Sequence, residues 1–407
     1  MAEPAGTIPP KRTTRLGVST STWLMTLVGI LCVIGVVMVG SASSVISMSL
    51  YGSPWSIFTK DLVWVAAGLI CFAVAARMDY HRWRKLTPLI LVASLICLVV
   101  VLAPGVGASS GGASRWIGFG QARFQPSEVM KLALALFGAD VLCRRLEAKS
   151  PLKQLAAPLL LVTGIAVLLV VAQPDLGTAM VLMVIVIALF FAAGVPGMIM
   201  LKGFGVVVVL VTFLAFAMPY RRARLLSFIN PGSKASGSGY QVVQSLIGLG
   251  SGHLFGLGLG NSREKWGLLP NAHTDFIFSI IGEELGLVGV VVVLCLLGVF
   301  AMKGIRAAEE APDRYGSLLG VALVAWISAE AILNIGAVLG VLPVTGIPLP
   351  FISFGGSSLL ITMLAAGMLV NIARQGGKRP SRRSPSVSRP TNRPRSVAGR
   401  PRAASRR

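Results

Sequence analysis

Gly260-Asn261-Ser262-Arg263-Glu264-Lys265-Trp266-Gly267-Leu268-Leu269-Pro270-Asn271-Ala272-His273-Thr274-Asp275 is polar, charged and ends on a carboxylate. It runs at once into the apolar stretch Phe276-Ile277-Phe278-Ser279-Ile280-Ile281, which closes on Gly282-Glu283-Glu284. Its surroundings are hydrophobic, so a loop this polar needs a reason to exist. At a membrane surface it is a natural place for chemistry on a substrate whose tail lies in lipid.

Working outward, the chain is too apolar to be soluble. Hydrophobic residues make up 54% of 407 and charged ones 13%, with a mean hydropathy of +0.78. Apolar runs long enough to span a bilayer (about 20 residues) recur along it. They read as 22–42, 58–76, 87–103, 126–143, 155–172, 178–195, 201–219, 276–302, 315–341 and 353–374. Pro88 and Pro158 then fall near helix starts, where a missing N–H costs little. The expected fold is an all-α polytopic membrane protein of ten helices. A short segment, 1–21, precedes the membrane domain at 22–374, and a basic tail, 375–407, follows it.

Of the net charge of +22, eleven basic residues with no acidic one lie between Gly376 and Arg407. Such a tail, rich in Pro, Ser and Arg, reads as disordered and cytoplasmic, and nucleic-acid binding is a poor account of it. The five cysteines fall in or beside apolar runs without metal-type spacing, and read as small buried hydrophobes.

Basic residues at Lys11–Arg15, Arg77–Lys85, Arg144–Lys153, Lys202 and Lys303–Arg314 alternate with poorly charged connections. The positive-inside rule places both termini in the cytoplasm. Loops 104–125, 173–177 and 220–275 then face outward. The last is long, and it holds Arg221, Arg222, Arg224, Lys234, Arg263 and Lys265. Cations on that side point to a bound anion, or to lipid headgroups.

Pro126-Ser127-Glu128-Val129-Met130-Lys131 opens the fourth span with a proline suited to a first helical position. Glu128 and Lys131, three apart, share a helical face and read as an intramembrane pair. Asp175 in Gln173-Pro174-Asp175-Leu176-Gly177 reads as a helix cap or a direct participant. Tyr240 to Ser245 looks helical, and the glycines at 248–260 lack the strand and lysine of a phosphate loop. The proline-rich 342–358 cannot be a lipid-facing helix and reads as a re-entrant or cavity-lining turn. Glu330 lies inside the ninth span, as a packing partner or a functional group. Asp275 reads both as the N-cap of the eighth helix and as a reactive carboxylate.

Five segments together resemble the SEDS family of peptidoglycan glycosyltransferases: GASRWIGFGQARFQPSEVMK (112–131), QPDLGTAM (173–180), GYQVVQSLIGLGSG (239–252), HTDFIFSIIGEELG (273–286) and LPVTGIPLPFISFGGSSLL (342–360). The segment Ser262–Gly267 is closer to the division branch than to the elongation branch, and the basic tail resembles that of actinobacterial members. Asn271 stands where many relatives carry Glu, and Glu330 where many carry Gln. The resemblance implies polymerisation of lipid II at the septum, in the bacterial plasma membrane. It implies as partners a class B penicillin-binding transpeptidase, other division proteins, membrane lipid and undecaprenyl-linked glycan. It places Asp275 as the base, with Arg123, Glu128, Lys131, Lys265 and His273 around the substrate pyrophosphate. A single base suffices in principle, because pyrophosphate leaves as a stable anion without an acid to protonate it. A divalent cation, Mg2+ or Mn2+, would supply similar charge with Asp275 as its ligand, and residue type leaves the two roles open. A lipid II flippase or an elongation-type polymerase would use the same spans.

Overall fold

The computed structural model describes residues 18–103, 107–110, 113–119, 122–148, 152–198, 205 and 238–377. The expected seventh span, apart from Gly205, lies outside them, as do the first part of the long loop and the tail beyond 377. The described helices are α1 (Thr20–Tyr51), α2 (Ser56–Arg77), α3 (Tyr80–Val101), α4 (Pro126–Glu147) and α5 (Leu152–Ala172). They continue with α6 (Leu176–Ala192), α7 (Ser238–Ser251), α8 (Ile277–Glu309), α9 (Arg314–Val338) and α10 (Ser357–Gly376).

Helices α1, α2, α3, α8, α9 and α10 are each long and apolar enough to cross a membrane, and 156–172 and 176–192 are shorter apolar helices. In α3, Leu91 and Leu98 are buried while Leu89, Val92, Ile96 and Val99 are exposed. Both faces are apolar, as a helix between protein and lipid requires. The chain is a multi-pass membrane protein. Cys295, expected to be buried, is exposed on α8.

Several boundaries differ from the hydropathy reading. Asp79 caps α3, its Oδ1 accepting from the His81 amide at 2.9 Å, so this helix starts before its apolar run. Pro88 therefore lies inside α3, and Pro158 inside α5, rather than near a helix start. Between α3 and α4 the chain forms a small antiparallel sheet in the order β1 (Gly107–Ser110), β2 (Ala113–Phe119), β3 (Ala122–Phe124). Hydropathy is blind to a sheet of this size, because its strands carry no long apolar run.

The largest departure is in α8, which is not one continuous helix. Gly286 has φ 68° and ψ −165°, which divides α8 into a half-helix at 277–285 and a long rod after it. The backbone groups released there are met by the chain that precedes the helix. The Glu283 and Glu284 carbonyls accept from the amides of Leu257 and Gly258 at 2.9 and 3.1 Å. The Leu287 and Val288 amides donate to the His253 and Leu254 carbonyls at 2.9 and 3.2 Å. The glycine-rich run therefore serves close backbone approach: a Cβ on Gly252 would lie 1.8 Å from the Gly282 carbonyl oxygen. Helix α7 completes this unit, with Ser279 Oγ donating to the Ser245 carbonyl at 2.8 Å and Ser245 Oγ to the Val338 carbonyl at 2.8 Å.

The proline-rich connection between α9 and α10 is irregular, as its composition requires, and it is buried. Leu349, Phe351 and Ile352 are enclosed, and Gly35 of α1 lies so close that a Cβ there would meet the Phe351 carbonyl oxygen at 2.7 Å. Non-helical backbone at membrane depth survives when it is covered by protein in this way.

The backbone contact at Gly252 has a direct test. Gly252→Ala forces the glycine-rich turn away from α8, so a loss of about 1–3 kcal/mol or more is expected. Thermal unfolding of the detergent-solubilised protein should register it as a clear fall in midpoint, whereas alanine at Gly29, which meets nothing within 4 Å, should leave the midpoint in place.

Candidate active site

Four helices, α4, α6, α8 and α10, begin close together, α4 led in by β3 and the other three by irregular segments. The Gln125 amide donates to Ser357 Oγ at 3.2 Å, joining the starts of α4 and α10. Gln125 Nε2 donates to Asp175 Oδ2 at 2.9 Å, joining α4 to α6. A Cβ on Gly177 would meet Thr345 and Ile347 at 2.9 Å, and the Phe354 amide donates to the His273 carbonyl at 3.1 Å. Helix N-termini carry partial positive charge and unpaired amides, so their convergence favours an anion.

Asp175 caps α6: its Oδ1 accepts from the Thr178 amide at 3.1 Å and its Oδ2 from Thr178 Oγ1 at 2.9 Å. Arg115 lies 3.8 Å from the same carboxylate and donates to the Gln173 carbonyl at 3.2 Å. The capping reading of Asp175 is the one the geometry supports.

Asp275 is half-buried in the turn before α8. It is not the N-cap: Phe276 holds that position, so the expected capping role falls away. The turn is shaped by Asn271, whose φ of 58° is one that Asn tolerates better than most residues. The Asn271 carbonyl accepts from the Thr274 and Phe276 amides at 3.1 and 3.3 Å, which sets the direction in which Asp275 leaves the turn. Opposite it lies Gly346, where a Cβ would stand 3.6 Å from Asp275 Oδ2.

Glu128 and Lys131 are paired at 2.8 Å, as their spacing predicts. Lys131 also pairs with Glu330 of α9, and its ammonium lies 5.3 Å from the centre of the Trp326 ring. Trp326 Nε1 donates to Glu330 Oε1 at 2.8 Å. All three charged groups are 3% exposed or less. One ammonium between two carboxylates is a polar hub inside the bundle, and helical spacing within α4 gave no hint of the partner supplied by α9.

The other expected site residues are placed differently. Lys265 is buried and donates to the Gly260 carbonyl at 2.5 Å, with Glu284 at 3.7 Å. Its charge is used within the loop. Glu283 accepts from Ser262 Oγ at 2.5 Å and the Arg263 amide at 2.8 Å, and Glu284 accepts from Ser41 Oγ at 2.6 Å and the Ser262 amide at 3.3 Å. These carboxylates clamp the loop onto the half-helix. His273 packs beside Phe354, and burial lowers its pKa to about 4, so it is neutral near pH 7. Arg123 is exposed on β3, in register with Gly118. Burial and then the charge of Glu283 hold the Glu264 carboxyl up at about 7.

Among the described residues no group of three His, Cys, Asp or Glu side chains is arranged to hold a metal ion.

The chain matches the family described as cell cycle protein, that of FtsW, RodA and SpoVE, over residues 22–378. It is 40% identical to stage V sporulation protein E of Bacillus subtilis, over 85% of this chain and 94% of that one. It is 41% identical to the probable peptidoglycan glycosyltransferase FtsW of Coxiella burnetii, over 86% and 95% of the two chains. With the protein of that name from Mycobacterium tuberculosis the identity is 40%, over 86% of this chain and 67% of that one. A solved peptidoglycan synthase complex, described as coordinating polymerization and crosslinking, contains a chain of the same fold. Its TM-score is 0.71 at 29% identity, over 88% and 98% of the two chains. The rod shape determining protein RodA of Thermus thermophilus aligns with a TM-score of 0.63 at 29% identity, over 86% and 95%. The chain therefore belongs to the FtsW/RodA/SpoVE family, the SEDS family of multi-pass membrane proteins.

Two predictions come from this geometry. Lys131→Met leaves two buried carboxylates without their cation and should cost about 3–5 kcal/mol. Glu330→Gln keeps the Glu128 pair and an acceptor for Trp326, so its unfolding midpoint in detergent should stay close to that of the parent.

The second concerns pH. The fold raises the pKa of Glu264, so the stability tied to its proton is complete below the unfolded value of about 4.3 and lost as pH rises through 7. The fold lowers that of His273, so its contribution is present above about 6.5 and lost as pH falls toward 4. Of these two groups only Glu264 changes its contribution above pH 6.5. Amide exchange in 260–267, corrected for intrinsic rate, should lose protection between pH 6.5 and 8, and Glu264→Gln should remove that change.

Proposed function

We propose that this chain polymerises lipid II into glycan strands at the division septum of the bacterial plasma membrane, as a peptidoglycan glycosyltransferase with Asp275 as its base. The observation that carries this reading is where Asp275 stands. It is a carboxylate at the meeting point of four helix N-termini, on the rim of a bundle whose outside suits lipid.

The 4-hydroxyl of one lipid II sugar attacks the anomeric carbon of the lipid-linked chain. Asp275 takes the hydroxyl proton as the new C–O bond forms. The bond to the pyrophosphate oxygen breaks with inversion, and undecaprenyl pyrophosphate departs as an anion. The clustered helix N-termini and the exposed Arg123 stabilise the charge that develops on it. Lys131 with Glu128 and Glu330 holds α4 against α9 beneath that site. Lys265 shapes the loop, and neutral His273 offers hydrogen bonding rather than charge. A Mg2+ or Mn2+ ion at the site would be held by Asp275 together with pyrophosphate oxygens, and would add to the neutralisation of the leaving group.

The likeness to a chain of a synthase complex that couples polymerization to crosslinking supports a class B penicillin-binding transpeptidase as partner. The relatives named FtsW favour division over elongation, and membership of a division assembly with further partners goes with that reading. A flippase would share the fold but would have no use for a base beside the sugar.

Purified protein with its transpeptidase and labelled lipid II tests the reading. Asp275→Asn keeps the size of the side chain and removes its proton affinity, so polymerisation should fall by about two to four orders of magnitude. Glycan ladders of normal length from that variant would remove Asp275 from the role of base, whereas a parent protein that makes no ladders would point to transport or scaffolding instead.

A further inference from the structure

Asn334 lies in α9 one helical turn beyond Glu330, is 2% exposed, and has no part in the chemistry above. Its Nδ2 donates to two main-chain carbonyls, that of Asp275 at 2.8 Å and that of Ile347 at 2.8 Å. Both amide hydrogens are thereby used, so the amide cannot be turned over without setting its oxygen against two carbonyl oxygens. The Asp275 carbonyl lies outside the helical ladder of α8. Inside a helix it would accept from Ser279, but the Ser279 amide instead donates to the Phe276 carbonyl at 3.0 Å. The Ile347 carbonyl belongs to the proline-rich connection, where the chain is equally irregular.

We propose that Asn334 is a positioning residue for Asp275. It anchors the peptide that carries the carboxylate to α9, and it holds the segment containing Gly346 against the same carboxylate. Through α9 the anchor is continuous with the Lys131 hub, since Glu330 and Asn334 stand about 6 Å apart along the axis. The hub thus acts on the reacting carboxylate by fixing the helix that holds its backbone. The inference rests on the assignment of Asp275 as base.

Steady-state polymerisation by the complex with its transpeptidase, over a range of lipid II concentrations, distinguishes positioning from substrate binding. Asn334→Ala should lower kcat about 10- to 100-fold, as a misplaced reacting group does, with KM within about twofold of the parent. Asn334→Gln, which keeps both donors, should recover a large part of kcat, and both variants should unfold cooperatively in detergent. A parental kcat for Asn334→Ala beside an inactive Asp275→Asn overturns this inference alone, as does a loss confined to KM. Failure of both Asn334 variants to fold assigns the residue to the core and overturns it too. Normal polymer from Asp275→Asn removes the base reading, and this inference with it.

Discussion

Backbone amides and carbonyls at membrane depth have no water to turn to, and the structure around the site depends on how that demand is met. A continuous helix meets it internally. The break at Gly286 does not, and the turn at 253–258 supplies the four missing partners. Once that turn is fastened to the half-helix, the loop that follows has a fixed origin. Glu283 and Glu284, on the half-helix itself, then clamp Ser262 to Glu264 in place. The result is a polar loop pinned to the half-helix at Ser262 to Glu264 and ending at Asp275.

The same demand explains the arrangement of the other irregular segments. The connection at 339–356 is covered by α1, capped by side chains such as Ser353, and tied to α9 by Asn334. Asp175 and Gln125 close the starts of α6 and α4 against it. Each side chain that completes a backbone group also brings two segments together. A site assembled from loops becomes rigid through these shared hydrogen bonds.

Charge is distributed by the same economy. The cations of Lys131 and Lys265 are both buried and both matched within the protein, the first by carboxylates from two helices and the second by a carbonyl and Glu284. Both charges are already engaged with protein partners. In the proposed reaction the leaving anion is instead assigned to the helix ends and to Arg123, which is exposed on the sheet. Glu264 in this loop is buried beside Glu283, and burial first and that like charge second make its ionisation sensitive near neutrality.

Much of the plan was legible in the residues alone. Apolar length marked the six helices among the described residues that are long enough to cross a membrane, because a bilayer requires about 20 apolar residues of each. Pro126 marked the start of α4, the prolines of 342–358 marked a buried irregular segment, and three-residue spacing marked the Glu128–Lys131 pair. These are local properties, decided by neighbours along the chain. Tertiary structure alone decided that Glu330 completes the hub, that Lys265 is spent inside its own loop, and that Asp275 stands ahead of the cap and hangs from Asn334. It also decided that glycines resembling a failed phosphate loop exist to let two backbones touch. Those outcomes depend on groups far apart in sequence, since a hydrogen-bond donor in one helix carries no local sign of the carbonyl it will meet in another.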